Sequence, residues 1–329
     1  MSSLIKGATR FAAAAALTVA MSGVALAKDT IRVAFGDIAS VESLNLLIAF
    51  ERAKERGVDV QSTFFKSEDL AAQAVVGGQA DVGIGTPYAL MQKVKAPIRM
   101  FYQISNLRFY PVVNTEFYKD WKDLDGQEFA VHSRGSGTEA IMNLMQQKHG
   151  IKFARYSYVP GAEVRAGALL QGNVKATIVD SGALRMIEEK GGGKYKVLNM
   201  EGVNATDEAL YANTDFLKKN AKAVTILVEE LLKTQREINK DPKTVVALRE
   251  KYKLLPDLPK DLNAEVEPYF ADAVKAKLYP DDGGSAAAVK SDFDFYTVSG
   301  QLQGDAGTLK EADFWTFEPL DNARKAVQG

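Results

Sequence analysis

The chain has 329 residues, 46% of them hydrophobic and 25% charged, with 41 Lys and Arg against 42 Asp and Glu. Those proportions leave room for a hydrophobic core and roughly two domains, while a formal net charge of −1 offers no electrostatic footprint for nucleic acid. With no Cys and only two His, at 132 and 149, the chain by itself excludes thiol catalysis, thiolate zinc sites, disulfides and a three-His metal site.

Lys6 and Arg10 precede or flank an apolar stretch over 11–20, and Ala25-Leu26-Ala27 follows. A positive start, a short apolar core and a small-x-small site are the parts of a secretory signal peptide, with cleavage expected after Ala27. The stretch is too short to span a membrane, because Lys28 and Asp29 close it. A soluble exported protein is expected, and a bacterial periplasm fits.

From residue 31 the pattern alternates between strand and helix. Residues 31–35 read as a strand, 43–56 as a helix stopped by Gly57, and Val58 and Val60 alternate into a second strand. Ser67 is an N-cap for a helix over 68–76, Gly77-Gly78 ends it, and 80–85 reads as a short buried strand. A second copy follows, with a strand over 129–132 and a helix over 138–148 that shows Ile141, Leu144 and Met145 on one face. Residues 65–90 then align without gaps on 159–184, pairing Ala72 with Ala166, Gly78 with Gly172 and Ile84 with Ile178. Each βαβαβ unit predicts its own mainly parallel sheet flanked by helices. The expected fold is α/β in two lobes, with a ligand cleft at the C-terminal strand ends. From about 214 the chain is helical, with Val224, Leu227, Val228, Leu231 and Ile238 in a stripe.

Three glycine-rich stretches fail as nucleotide or hydrolase motifs. Gly83-Ile84-Gly85 lacks a third Gly, Gly191-Gly192-Gly193-Lys194 lacks the phosphate-loop spacing, and Arg134-Gly135-Ser136-Gly137 lacks the outer Gly of a nucleophile elbow. Ser133-Arg134-Gly135-Ser136-Gly137-Thr138 starts a helix with hydroxyls, free N–H groups and an Arg. It can hold an anion, or it can be a capped helix with a solvated Arg. Asp37 after the first strand, Thr86-Pro87-Tyr88 after the third and Asp180 in the second copy sit at equivalent strand ends. Asp37 and Asp180 can accept hydrogen bonds from a ligand or cap helices. His132 and His149 have no ligand-spaced partners and read as structural, and Phe314-Trp315-Thr316-Phe317 reads as core or lid.

The segment over 70–81 ending in Gly77-Gly78-Gln79-Ala80-Asp81, the helix start over 133–138, Phe295-Tyr296 with Gly300, and Phe314-Trp315 with Leu320-Asp321 and Ala323 carry a resemblance. They resemble the solute-binding proteins of bacterial ABC importers, in the nitrate, sulfonate, taurine and thiamine-precursor group that shares a fold with the yeast thiamine-pyrimidine synthase. The resemblance implies a type II periplasmic-binding fold. It implies lobe one over 28–111 and 212–329 and lobe two over 112–211, with crossings at Tyr110-Pro111-Val112 and Tyr211-Ala212-Asn213. Carried over by position, Asp37, Ser67, Thr86 and Tyr88 line lobe one, Ser136, Gly137, Thr138 and Asp180 line lobe two, and Arg108 faces the cleft near the first crossing.

The function so implied is capture of a small organic anion of sulfonate or carboxylate type, with Arg134 on the acidic group, and delivery to an ABC membrane permease. The protein is expected to be a monomer without catalytic residues, cofactor, metal or nucleic-acid partner. Lys175, where relatives often carry Asp, and Asp180-Ser181-Gly182 depart from the group's pattern and leave the ligand open. The alternatives are a heteroaromatic or cationic ligand such as a thiamine-type pyrimidine, anchored by Asp37 and Asp180, and an exported enzyme on the same fold. The Cys-rich motif of the yeast synthase is absent.

Overall fold

The computed structural model describes residues 29–328, so the expected signal peptide lies outside the described residues. β1 (Asp29–Phe35) leads into α1 (Leu44–Glu55), and β2 (Val58–Phe64) returns parallel to β1 with Asp29 opposite Val58. α2 (Glu68–Val76) brings the chain to β3 (Val82–Gly85), parallel to β1 on its other side. α3 (Tyr88–Val94) and β4 (Ile98–Asn106) finish this half. Residues 107–109 then pass to a second sheet, which begins with β5 (Tyr110–Asn114).

The second sheet continues with β6 (Glu128–Val131), α4 (Gly137–His149), β7 (Arg155–Tyr158), α5 (Ala162–Leu170), β8 (Ala176–Val179), α6 (Ser181–Lys190) and β9 (Tyr195–Val197). The chain returns over 198–205 to β10 (Thr206–Asn213), which lies antiparallel between β3 and β4. The two sheets have the orders β2-β1-β3-β10-β4 and β7-β6-β8-β5-β9. Both changes of sheet therefore precede the positions expected from the sequence. Tyr110-Pro111-Val112 is already a strand of the second sheet, and Tyr211-Ala212-Asn213 is the end of β10 in the first. Apolar β-branched and aromatic runs mark strands, but the chain segments between sheets have no residue signature of their own.

The internal repeat has a structural counterpart. When 65–90 is laid on 159–184, α2 falls on α5 and β3 on β8, residue for residue. Gly78 and Gly172, at matched positions after those helices, share φ of 73° and 74°, a left-handed conformation that favours glycine.

The last third packs on the first sheet. It comprises α7 (Thr214–Lys219), α8 (Ala221–Lys240), α9 (Thr244–Tyr252), α10 (Lys260–Ala264), α11 (Val266–Lys275), α12 (Ala286–Val298) and α13 (Glu318–Gln328). Val224, Leu227, Val228 and Leu231 of α8 share a buried cluster with Ile31, Phe101, Leu320 and Ala323. The stripe buries because leucine and valine side chains at helical spacing cover one continuous apolar face. Met100 donates to the Phe314 carbonyl (2.9 Å) and Thr316 to the Met100 carbonyl (2.9 Å), stitching the aromatic segment beside β4. Among the described residues no helix is long and apolar enough to cross a membrane.

Candidate functional site

The C-terminal ends of the two sheets face each other, and the lobes touch. The Gly36 carbonyl lies 3.0 Å from His132 Nε2, Gln147 donates to the Val298 carbonyl (2.6 Å), and Gln301 donates to the Ser136 carbonyl (3.1 Å). Between them is a small chamber lined by Asp37, Glu42, Glu68, Asp207 and Glu208, together with Phe109, His132, Ser136, Gly137, Thr138 and Arg165. Its volume is about 30 Å³, space for roughly one or two waters.

The five acidic groups arrive from four places in the chain. Asp37 follows β1, Glu42 precedes α1, Glu68 opens α2, and Asp207 and Glu208 lie on β10. Glu68 is held by close packing: its carboxylate accepts from the Thr86 amide (3.4 Å) and lies over Gly85, where a Cβ would come within 2.8 Å of Oε2. Likewise Gly83 leaves space for the ring of Tyr211. The Gly-Ile-Gly stretch is therefore a floor for two side chains, which explains its glycines without a nucleotide.

Withdrawal from water and mutual repulsion disfavour the charged forms of these acids. Burial, with Glu208 nearby, pushes the Glu68 carboxyl up to about 8. Burial also raises Glu42, Asp207 and Glu208, each further raised by a neighbouring acid. At the chamber's edge, burial raises Asp180 and brings Glu163 to about 7.

The basic groups in the chamber are few. Arg165 is 2% exposed, and it donates from Nε to the Ile178 carbonyl (2.8 Å) and from Nη1 to the Val159 carbonyl (2.9 Å). Burial lowers the pKa of its guanidinium despite Asp37 and Asp180. His132 is also held toward its neutral form by burial. A carbonyl can only accept, so Nε2 facing Gly36 carries the proton and Nδ1 is left as an acceptor. Nδ1 has no hydrogen-bond partner among the described residues and lies 3.7 Å from Asp37 Oδ2. The chamber thus holds five acids, four of them drawn toward their protonated form, against one buried guanidinium and a neutral imidazole.

The residues named from the sequence fall in several places. Asp37, Ser136, Gly137 and Thr138 line the chamber, and Asp180 lies in the cavities beside it. Asp180 accepts from the Ala183 amide (2.7 Å), capping α6, and Ser136 caps α4. Arg108 lines a constriction next to the chamber, donating from Nε to the Ala276 carbonyl (3.1 Å) and from Nη1 to the Leu107 carbonyl (2.7 Å). Thr86 and Arg134 line a separate groove of about 290 Å³ that shares Glu68. Arg134 is exposed there, 5.7 Å over the Tyr158 ring. Ser67 donates to Asp69 at the start of α2.

Two expectations are corrected. Tyr88 does not face the cleft: it is fully buried, donates to Asp292 Oδ2 (2.6 Å) and accepts from Trp315 Nε1 (2.8 Å). Its hydroxyl joins the first lobe to α12 and the aromatic C-terminal segment. At the glycine-rich start of α4, the Gly135 amide donates to Glu139 Oε2 (2.7 Å), so the protein's own carboxylate occupies a donor expected for a ligand anion. Sequence reading missed Glu42, Glu68, Glu163, Arg165, Asp207 and Glu208. One signal was available: Asp207-Glu208 are adjacent acids entering an otherwise apolar strand. His149, read as structural, stacks on Trp121 with ring centroids 5.0 Å apart. Among the described residues no group of three His, Asp or Glu is arranged to hold a metal ion.

Several solved structures share this architecture. A protein of Bordetella bronchiseptica RB50 has TM-score 0.76 at 22% identity, covering 92% of this chain and 99% of that one. The nitrate-binding protein NrtA of Synechocystis PCC 6803 has TM-score 0.66 at 14% identity over 91% and 89% of the two chains. The alkanesulfonate-binding protein SsuA of Xanthomonas axonopodis pv. citri, bound to MOPS, has TM-score 0.64 at 15% identity over 84% and 94%. At these identities the likeness establishes the periplasmic-binding-protein fold, with two α/β lobes. No curated protein sequence matches the chain. The NMT1/THI5 like family profile matches residues 52–245, from the last turn of α1 into α9, and the chain belongs to that family.

Proposed function

We propose that this protein captures a small organic cation in the cleft between its lobes and delivers it to an ABC permease, without transforming it. The observation that carries this reading is the excess of acids in the chamber: Asp37, Glu42, Glu68, Asp207 and Glu208 share it with only Arg165 and His132 as basic groups. Crowded, partly dehydrated acids resist ionising together and so hold protons. A bound cation favours their ionised form and displaces those protons, whereas an anion disfavours it. An amine or protonated aminopyrimidine also supplies an N–H donor for His132 Nδ1 and for the carboxylates once ionised.

This departs from the anion expectation. The named neighbours bind sulfonate and nitrate, but the Arg134 and α4 features that supported an anion here are turned to Tyr158 and Glu139. The positive, apolar and small-residue parts of 1–27 support export to the periplasm.

A thermal-shift screen at pH 7.5 tests the ligand's charge, comparing amines and aminopyrimidines with alkanesulfonates and carboxylates. A cation at a hundredfold excess over its Kd adds about 2.7 kcal/mol to apparent stability. Stabilisation by sulfonates or carboxylates, with none by cations, restores the anion assignment.

A further inference from the structure

The chamber holds a charged head group and little more, so the rest of any organic ligand needs adjoining space. Two cavities adjoin it. The groove along α2 and α3 shares Glu68, but Lys93 and Arg134 stand at its edge. The other, of about 190 Å³, lies between α6 of the second lobe and α10–α11 of the C-terminal third, and it shares Glu42 with the chamber. Its inner end carries Glu42, Glu163 and Asp180, and its walls carry Val41, Met186, Leu262 and Tyr269. Tyr269, 3% exposed, lines both this cavity and the constriction beside the chamber, with its hydroxyl buried beside that of Tyr279.

The outer edge is closed by ion pairs between the lobes. Arg185 of α6 pairs with Glu265 (2.7 Å) and Asp272, and Lys190 pairs with Asp261 (3.2 Å). Both cations at this edge are thus paired, and the inner end carries the three acids Glu42, Glu163 and Asp180, with Arg108 the cation of the adjoining constriction.

We propose that this cavity is a second compartment of the ligand site, taking the apolar body of an amphipathic organic cation whose ammonium group sits among the carboxylates at the inner end. The assignment rests on the cation reading above and adds the shape of the ligand to it. Tyr269 supplies wall to the ligand where the apolar side chains meet the carboxylates. The ligand class is an elongated primary amine with an alkyl or aromatic body, rather than a compact cation.

Titration calorimetry of the full mature chain with ethylamine, butylamine and hexylamine, and with alkanesulfonates of equal length, tests this. Each methylene that enters the cavity is expected to tighten binding about threefold to fourfold. Ala264→Trp, at an exposed position on the cavity wall, is expected to bring the hexylamine-to-ethylamine affinity ratio close to one. Leu262→Asp, which makes the same wall polar, is expected to shrink that ratio in a second background. Amines that bind with no dependence on chain length, or a dependence that both variants leave intact, overturn the compartment while leaving the cation reading in place. Binding of the sulfonates alone, or of neither series, overturns both.

Discussion

Glu68 shows how environment overrides local preference at a single residue. An acid in the first turn of a helix is ordinarily stabilised as the anion by the helix dipole. Here burial and the charge of Glu208 win, and the carboxyl rises to about 8. Binding a cation must then release protons, so affinity is expected to rise between pH 6 and 8.5 as Glu68 and, near 7, Glu163 ionise. Calorimetry in buffers of different ionisation enthalpy checks this, and a pH-independent affinity contradicts it. Glu68→Gln is expected to weaken cation binding at least about tenfold, the scale of one charge-assisted hydrogen bond. Tyr88→Phe is the contrasting case. It strips a partner from buried Asp292 and from Trp315 Nε1, and it is expected to cost about 1–3 kcal/mol in denaturant unfolding with cation affinity little changed. Sequence position suggested a cleft role for Tyr88, since it follows a strand end. What decides is the direction of the side chain, set by Asp292 more than two hundred positions away in the chain.

At the scale of elements, the repeat was legible because the βα units recur with the same spacing and the same glycines, and local helix stops fix that spacing. The contacts those elements make with the last third were not legible. Arg185 on α6 looks like any exposed helical arginine, yet its partners Glu265 and Asp272 lie 80 and 87 residues downstream on α11 and just before it. The cluster is partly buried and joins the lobes on the closed side of the cleft. Arg185→Met is expected to shift the protein toward an open arrangement. If the pairs contribute about 1 kcal/mol to closure, apparent ligand affinity falls roughly fivefold. Small-angle scattering of the ligand-free variant should give a larger radius of gyration that returns on ligand addition. An unchanged radius and affinity would show that the pairs do not hold the lobes together.

For the whole molecule, the acidic cleft has a consequence for stability. Acids with folded pKa values above their unfolded ones keep protons that unfolding releases, so their contribution is lost as pH rises through the folded pKa. Against ordinary values of 4.5, Glu163 near 7 and Glu68 near 8 place that loss between about pH 4.5 and 8, its upper part being due to Glu68. His132 is depressed and acts in the opposite sense, but only on acidification below its ordinary value near 6.5. The ligand-free protein is therefore expected to lose roughly 2–5 °C of Tm from pH 6.5 to 8.5, the size of one or two kcal/mol for a chain of this length. Differential scanning calorimetry measures it, and a flat or rising Tm contradicts the buried acidic cluster. The sequence by itself determined the alternation of strand and helix, the repeat, the two-lobed class and the shortage of catalytic groups, because periodicity, caps and residue inventory are local properties. Only the tertiary structure decided the sign of the cleft. Its carboxylates come from β1, α1, α2 and β10, each unremarkable in its own segment, and their effect arises from a proximity that the formal net charge of −1 averages away.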